Sequence, residues 1–141
     1  MRSTLFILVF CFISGLTWAQ SPAQYAGGRP EMLKFLAKNT RYPTASQEAN
    51  AQGIIRALFT VGTDGVIQEA KANGEDASLS EEVLRVVQTM PKWQAAKDKS
   101  GKPILSTHEL VFAFVIDSKS SAVAKIPEAE KADVVVTAYR D

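Results

Sequence analysis

The chain has a single histidine, His108, with Ser106 two residues before it, so on a strand both side chains would share one face. A serine hydroxyl beside an imidazole is half of a nucleophile and base arrangement. Acyl transfer also needs a group to orient the imidazole and donors for the developing oxyanion, and neither is legible around Ser106. A half-exposed structural histidine is the better reading, and one His without neighbouring Cys makes a poor metal ligand set. The carboxylates Asp64, Glu69, Glu75 and Asp76 lie close in sequence, but acidic residues in hairpins and loops are ordinarily solvated rather than poised as acid and base. Gly27-Gly28 would cradle a phosphate only after a strand and before a Lys-Ser or Lys-Thr step, and the chain offers neither. These residues point away from an enzyme and imply no cofactor and no metal. The function has to be sought on a surface.

With 141 residues, 46% of them hydrophobic and 22% charged, the chain has the composition of one domain plus appendages. Residues 1–19 carry one cation, an apolar run and the small residues Thr17 and Ala19 at the spacing a signal peptidase reads, which predicts a cleaved secretory signal. The alternative is an inner-membrane anchor through residues 5–18, but that helix would be only about 21 Å long against about 30 Å of hydrocarbon. Cys11 sits inside the apolar run and lacks the preceding small residues of a lipoprotein signal, so cleavage would leave no cysteine. It would also remove Arg2 and leave fifteen basic residues against fifteen acidic ones, a balance that gives no support to a nucleic-acid partner.

The elements that carry these residues follow from periodicity. Met32, Leu33, Phe35 and Leu36 predict a short helix ending near Asn39, and residues 44–51 a second one after Arg41-Tyr42-Pro43. Ile55, Ala57, Phe59 and Val61 alternate along a strand that turns at Gly62-Thr63-Asp64-Gly65 into a weaker strand over residues 66–72. Ser78 and Glu81 fit a capping box, and Leu79, Val83, Val86, Val87 and Met90 recur at helical spacing until Pro91. Trp93 is expected to close the edge of the core, and residues 97–103 form a charged turn. A long strand then covers residues 104–116, with Leu110, Phe112, Phe114 and Ile116 alternating with Glu109, Val111, Ala113 and Val115. The whole predicts an α+β, two-layer domain, a three-stranded antiparallel sheet packed against two or three helices. The last strand outruns the hairpin and leaves N–H and C=O groups that need protection or await another strand. Residues 118–131 read as a flexible linker. Residues 132–141 form a β-prone segment where an ordinary tail would be polar.

Tyr42-Pro43, Gly53-Ile-Ile, Phe59-Thr-Val, Asp64-Gly65, Leu84-Arg-Val-Val, Met90-Pro-Lys-Trp93, Gly101-Lys-Pro-Ile and Val111-Phe-Ala-Phe, in this order and spacing, resemble the C-terminal domain of TonB, the periplasmic energy transducer of Gram-negative bacteria. Gly27-Gly28 with Leu33-Lys-Phe-Leu36 is similar to the extension of its Bacteroidetes branch. Gln94-Ala95-Ala96 departs from the Pro-Gly common in the family. The resemblance covers residues 42–116 and implies a non-catalytic binding module in outer-membrane transport. Its partner would be a TonB-dependent outer-membrane receptor, whose TonB box adds as a strand to the last strand of the sheet, beside the Tyr-Pro segment. Carried onto this chain, those positions are Glu109, Leu110, Val111, Phe112, Ala113, Phe114, Val115 and Ile116, with Arg41, Tyr42 and Pro43 alongside.

Two departures shape the expectation. The short, cleavable N-terminus and the lack of a Pro-rich spacer predict a released periplasmic module over residues 20–117 that binds without transducing force; the ExbB and ExbD motor becomes a partner only if the N-terminus stays uncleaved. The tail residues Asp133, Val134, Val135, Val136, Thr137 and Ala138 resemble a TonB box, the ligand rather than the binder. A linker of about 15 residues spans roughly 20 Å, enough to bring the tail to the chain's own sheet edge. The tail is thus expected to pair with Glu109 to Ile116 in cis or in a second copy. The alternatives are a client or adaptor whose tail binds a separate TonB, and a structural homo-oligomer.

Overall fold

The computed structural model describes residues 20–117, Ile126 and residues 128–139. The expected signal segment, residues 1–19, and most of the expected linker lie outside the described residues. Nine residues of β1 (Gly53–Val61) lie antiparallel to β5 (Ser106–Asp117), in unbroken register from Gly53 opposite Phe114 to Val61 opposite Ser106. The other edge of β1 carries β2 (Ile67–Asn73), also antiparallel. Between Leu58 and Thr60 the β2 strand has one residue more than its partner, and Glu69 takes the positive φ of a bulge there. That bulge accounts for the broken apolar pattern of β2.

The hairpin closes tightly because Gly62 N–H donates to Val66 O, and Asp64 Oδ1 accepts from Val66 N–H. Gly65 has φ +81°, and a Cβ there would stand 1.9 Å from the carbonyl oxygen of Trp93. The close approach lets Trp93 N–H donate to Gly65 O at 2.8 Å, which fastens the hairpin tip to the segment after the third helix.

One face of the sheet is covered by helices. In β1, Ile55, Ala57, Phe59 and Val61 are at most 1% exposed. They meet Leu79, Val83, Val86 and Val87 of α3 (Ala77–Gln88), a stripe that an i, i+4, i+7, i+8 pattern puts on one side. The helix is capped by Asp76, whose carboxylate accepts from Leu79 N–H and from Ser46 Oγ. This corrects the expected Ser78–Glu81 box: the helix begins one residue before Ser78, so the cap falls on Asp76. Ser46 belongs to α2 (Thr44–Glu48), which is shorter than the periodicity suggested. α1 (Gly28–Asn39) buries Met32 and Leu36, as expected from its stripe.

Two short strands, β3 (Ala96–Lys97) and β4 (Pro103–Ile104), flank the charged turn. Leu105, 60% exposed, separates β4 from β5, so the continuous strand expected from residue 104 is two pieces. Residues 20–25, read only as small and polar in sequence, pair through Ser21 with Lys97 and through Gln24 with Gln94, and bury Ala23 and Tyr25. Where the family often has Pro-Gly, Gln94 to Ala96 therefore stays extended and accepts a strand-like neighbour.

The expected three-stranded antiparallel sheet is present as β2-β1-β5, and the tail extends it. β6 (Val134–Tyr139) lies against β5 in parallel, making a mixed sheet of order β2-β1-β5-β6.

Candidate functional site

Phe112, Ala113 and Phe114 of β5 have a strand neighbour on either side, and Val115 to Asp117 have one on the tail side. Phe112 pairs with Val134, Ala113 with Val135, Phe114 with Val136, Val115 with Thr137, Ile116 with Ala138 and Asp117 with Tyr139. On the β1 side the strand outruns its partner, and there Gln52 Oε1 accepts the Ile116 N–H at 2.8 Å. The edge of β5 from Val111 to Asp117 is thus taken up within one chain, whereas Ser106 to Leu110, with the expected contact residues Glu109 and Leu110, have only β1 as a strand neighbour.

Strand alternation decides what the tail offers. Val134 is 5% exposed and Val136 packs against the core on the helix face, while Val135 is 44% exposed on the other. α1 lies against β6 and supplies the roof above those inward valines. At the start of the strand Asp133 engages Val111 twice: its backbone N–H donates to Val111 O at 2.8 Å, and its Oδ2 accepts Val111 N–H at 2.7 Å. The remaining carboxylate oxygen, Oδ1, is ion-paired with Arg29 in the first turn of α1. One acidic side chain therefore joins helix layer, edge strand and tail.

The described end of the expected linker lies on the face opposite the helices, where Glu128 meets Arg56. There Ala129, in a 3-10 turn at Ala129–Lys131, is 1% exposed, against β5. Arg56 of β1 ties it down with ion pairs to Glu128 at 2.7 Å and to Glu109 at 3.2 Å. All three side chains are about half exposed, so each pair alone is worth well under about 1 kcal/mol.

Tyr42 comes to β5 from the helix side. Its ring stands edge-on to Phe114 with centroids 5.3 Å apart, and its hydroxyl donates to Ala51 O. Burial, reinforced by the Asp76 carboxylate, pushes the phenol up to about 12. Pro43 caps α2, and Arg41 is exposed with its backbone N–H donating to Glu82 Oε1. The Tyr-Pro segment thus buttresses the end of β5 from the helix layer.

Ser106 Oγ and His108 Nε2 are 2.9 Å apart, so the suspected pair exists. The imidazole is stacked on Phe59 at 5.6 Å and tilted against Trp93 at 5.1 Å, and burial pushes its pKa down. Among the described residues no carboxylate hydrogen-bonds to the ring. The arrangement is that of a histidine packed between aromatic rings. Asp64 accepts from Val66 N–H within the hairpin turn, and Asp76 is occupied as a helix cap. Among the described residues no three His, Cys, Asp or Glu side chains are grouped to hold a metal ion.

A family model described as Gram-negative bacterial TonB protein C-terminal matches residues 38–116, more than half of the chain. The chain belongs to the TonB C-terminal domain family. No curated protein matches it. The solution structure of the Helicobacter pylori TonB C-terminal domain is similar at 16% identity and a TM-score of 0.44, over 65% of this chain and 95% of that one. The TonB match ends at Ile116, so β6 and most of α1, including Asp133 and Arg29, lie outside it. Sequence reasoning pointed to Asp133 as part of a box-like tail but missed Arg29 and Gln52. No local signal marks either, because their partners lie 104 and 64 residues away.

Proposed function

We propose that this TonB-type domain is a periplasmic binding module that grips TonB-dependent outer-membrane receptors by strand addition to the β5 edge. The observation that carries this reading is the position of the chain's own box-like tail: six residues, in parallel and in register, on the edge named for the receptor. An edge that takes Val134–Tyr139 presents the spacing, direction and apolar seats for another segment of the same kind. The contact residues are Glu109 to Ile116, with Tyr42 and Pro43 holding the strand from behind and Arg41 beside them.

In this reading the tail is a resident competitor. An external box must displace it, and the linker keeps it near at an effective concentration around millimolar. The module binds without transducing force where its N-terminus is cleaved after Ala19. Among the described residues no helix is long and apolar enough to cross a membrane. Intact-mass measurement of the protein recovered from cells tests the cleavage, and a mature chain that still begins at Met1 would contradict it.

The binding reading is tested by titrating the isotope-labelled full chain with a synthetic peptide carrying the box of a TonB-dependent receptor. Resonance changes on residues 109–117, accompanied by release of residues 133–139 to the shifts of a free peptide, support it. Unchanged tail resonances at millimolar peptide would overturn it.

A further inference from the structure

We propose that the turn between β3 and β4 is a docking surface for an anionic phospholipid bilayer, which holds the domain by the Ser106 end of β5. Residues 97–102 carry Lys97, Lys99 and Lys102 against one acid, Asp98, although the whole chain has sixteen basic and fifteen acidic residues. The three lysines are exposed, and among the described residues none of them is ion-paired. Asp98 is engaged by the loop itself: its Oδ1 accepts from Ser100 N–H at 2.9 Å, from Ser100 Oγ at 2.6 Å and from Lys102 N–H at 3.0 Å. Asp98 N–H donates to Lys102 O at 2.9 Å and Lys97 pairs with Pro103, so the lysines are held on one tight turn. The hairpin tip brings Asp64 to the same cleft as Lys97 and Pro103, and Lys92, packed against Gly65 of that tip, offsets its charge. The result is a cation cluster matched to a layer of phosphates. Leu105, 60% exposed directly after β4, adds an apolar side chain that the interface of a bilayer can take up.

A turn that is merely solvated could carry the same charges, and what favours the bilayer is the place where the chain enters the fold. Ser21 N–H donates to Lys97 O at 3.1 Å, and Lys97 N–H donates to Ser21 O at 2.9 Å. The apolar run of residues 5–18 ends three residues before Ser21, at most about 11 Å of extended chain. Whenever that run lies in a bilayer, as a signal before cleavage or as an anchor, the lysine turn is brought to the level of the headgroups. After cleavage the turn remains, and the released domain keeps an electrostatic hold on the leaflet. In β5 the ladder with the tail begins at Phe112, about 20 Å along the strand from Ser106, so a domain seated on its turn keeps that ladder off the membrane.

The test partitions the protein recovered from cells, by sedimentation, onto vesicles of phosphatidylcholine alone and of equal parts phosphatidylcholine and phosphatidylglycerol. An apolar N-terminal run, where retained, inserts into both, so the preference for the anionic vesicles reads the turn. At low salt that preference is about a hundredfold, the effect of three lysines at about fivefold each, and it shrinks as ionic strength rises. Lys97→Gln with Lys99→Gln and Lys102→Gln abolishes it. Lys34→Gln with Lys38→Gln and Lys71→Gln makes the same change of net charge at exposed residues elsewhere and keeps it. No preference in the unaltered protein, or equal loss in the two triple variants, would overturn the docking surface, and either result would leave strand addition to β5 standing.

Discussion

Substituting Val134 by Asp, compared with the same change at Val135, separates a docked strand from a loosely apposed tail. Val134 is 5% exposed within the core, and Val135 is 44% exposed on the opposite face. Removing the valine from its seat forfeits about 2 kcal/mol of apolar burial. A carboxylate left there costs at least about 2 kcal/mol more in desolvation. The two together shift the docking equilibrium by about three orders of magnitude, at about 1.4 kcal/mol for each factor of ten. An edge strand six residues long, which must also offset about 1 kcal/mol or more of backbone entropy per residue, does not survive that shift. Val135→Asp puts its charge in water and leaves the strand docked. Hydrogen exchange followed by mass spectrometry is the assay. With Val134→Asp, residues 133–139 and the Val111 amide lose protection while β1, β2 and α3 keep theirs; with Val135→Asp nothing changes. Equal protection in the two variants would refute the face assignment. Loss of protection throughout the domain with Val134→Asp would show that the tail is an integral part of the core and not a separable strand.

Gly65→Ala should destabilise the domain by about 2 to 4 kcal/mol in chemical denaturation, since it forces a Cβ against the Trp93 carbonyl at a positive φ; a change under about 0.5 kcal/mol would contradict the close approach. Asp76→Ala removes the acceptor of both Leu79 N–H and Ser46 Oγ and should cost about 1 to 2 kcal/mol, whereas Ser78→Ala should cost much less, which the same denaturation series checks. The Tyr42 phenol is held protonated by burial, so its folded pKa exceeds its unfolded one. The stability it contributes is complete below about pH 10 and is lost as pH rises towards 12. Tyr42→Phe should flatten that part of the pH profile, and an unchanged profile would count against the burial of the hydroxyl.

What could be read from sequence was what repeats locally. The alternation of Ile55, Ala57, Phe59 and Val61 and the helical recurrence of Leu79, Val83, Val86 and Val87 each declare a buried face within a dozen residues. Asp64-Gly65 likewise announced the turn, although the reason for Gly65 is a carbonyl 28 residues further on. Failures had two sources. Ser78 and Glu81 satisfy the spacing of a capping box, and only the position of Ala77 in the first turn passes the role to Asp76. The tail was legible as a strand, but its direction and register depend on Asp133 meeting Val111 and Arg29, contacts that no local pattern encodes. Ala23 and Tyr25 were overlooked for the same reason, since two apolar residues among polar ones show no period until Trp93 packs edge-on against Tyr25 at 5.8 Å.

The most direct test of the β5 edge as the receptor's docking place is to lock it. Val115→Cys with Thr137→Cys introduces thiols at residues that the register places opposite one another, on a sheet where β5 and β6 are parallel. Binding of a receptor box peptide to the oxidised and reduced forms is then compared by calorimetry. The oxidised protein, its tail fixed on β5, should bind no peptide, and reduction should restore binding. Equal affinity in the two forms would place the receptor's site elsewhere on the domain and contradict the account.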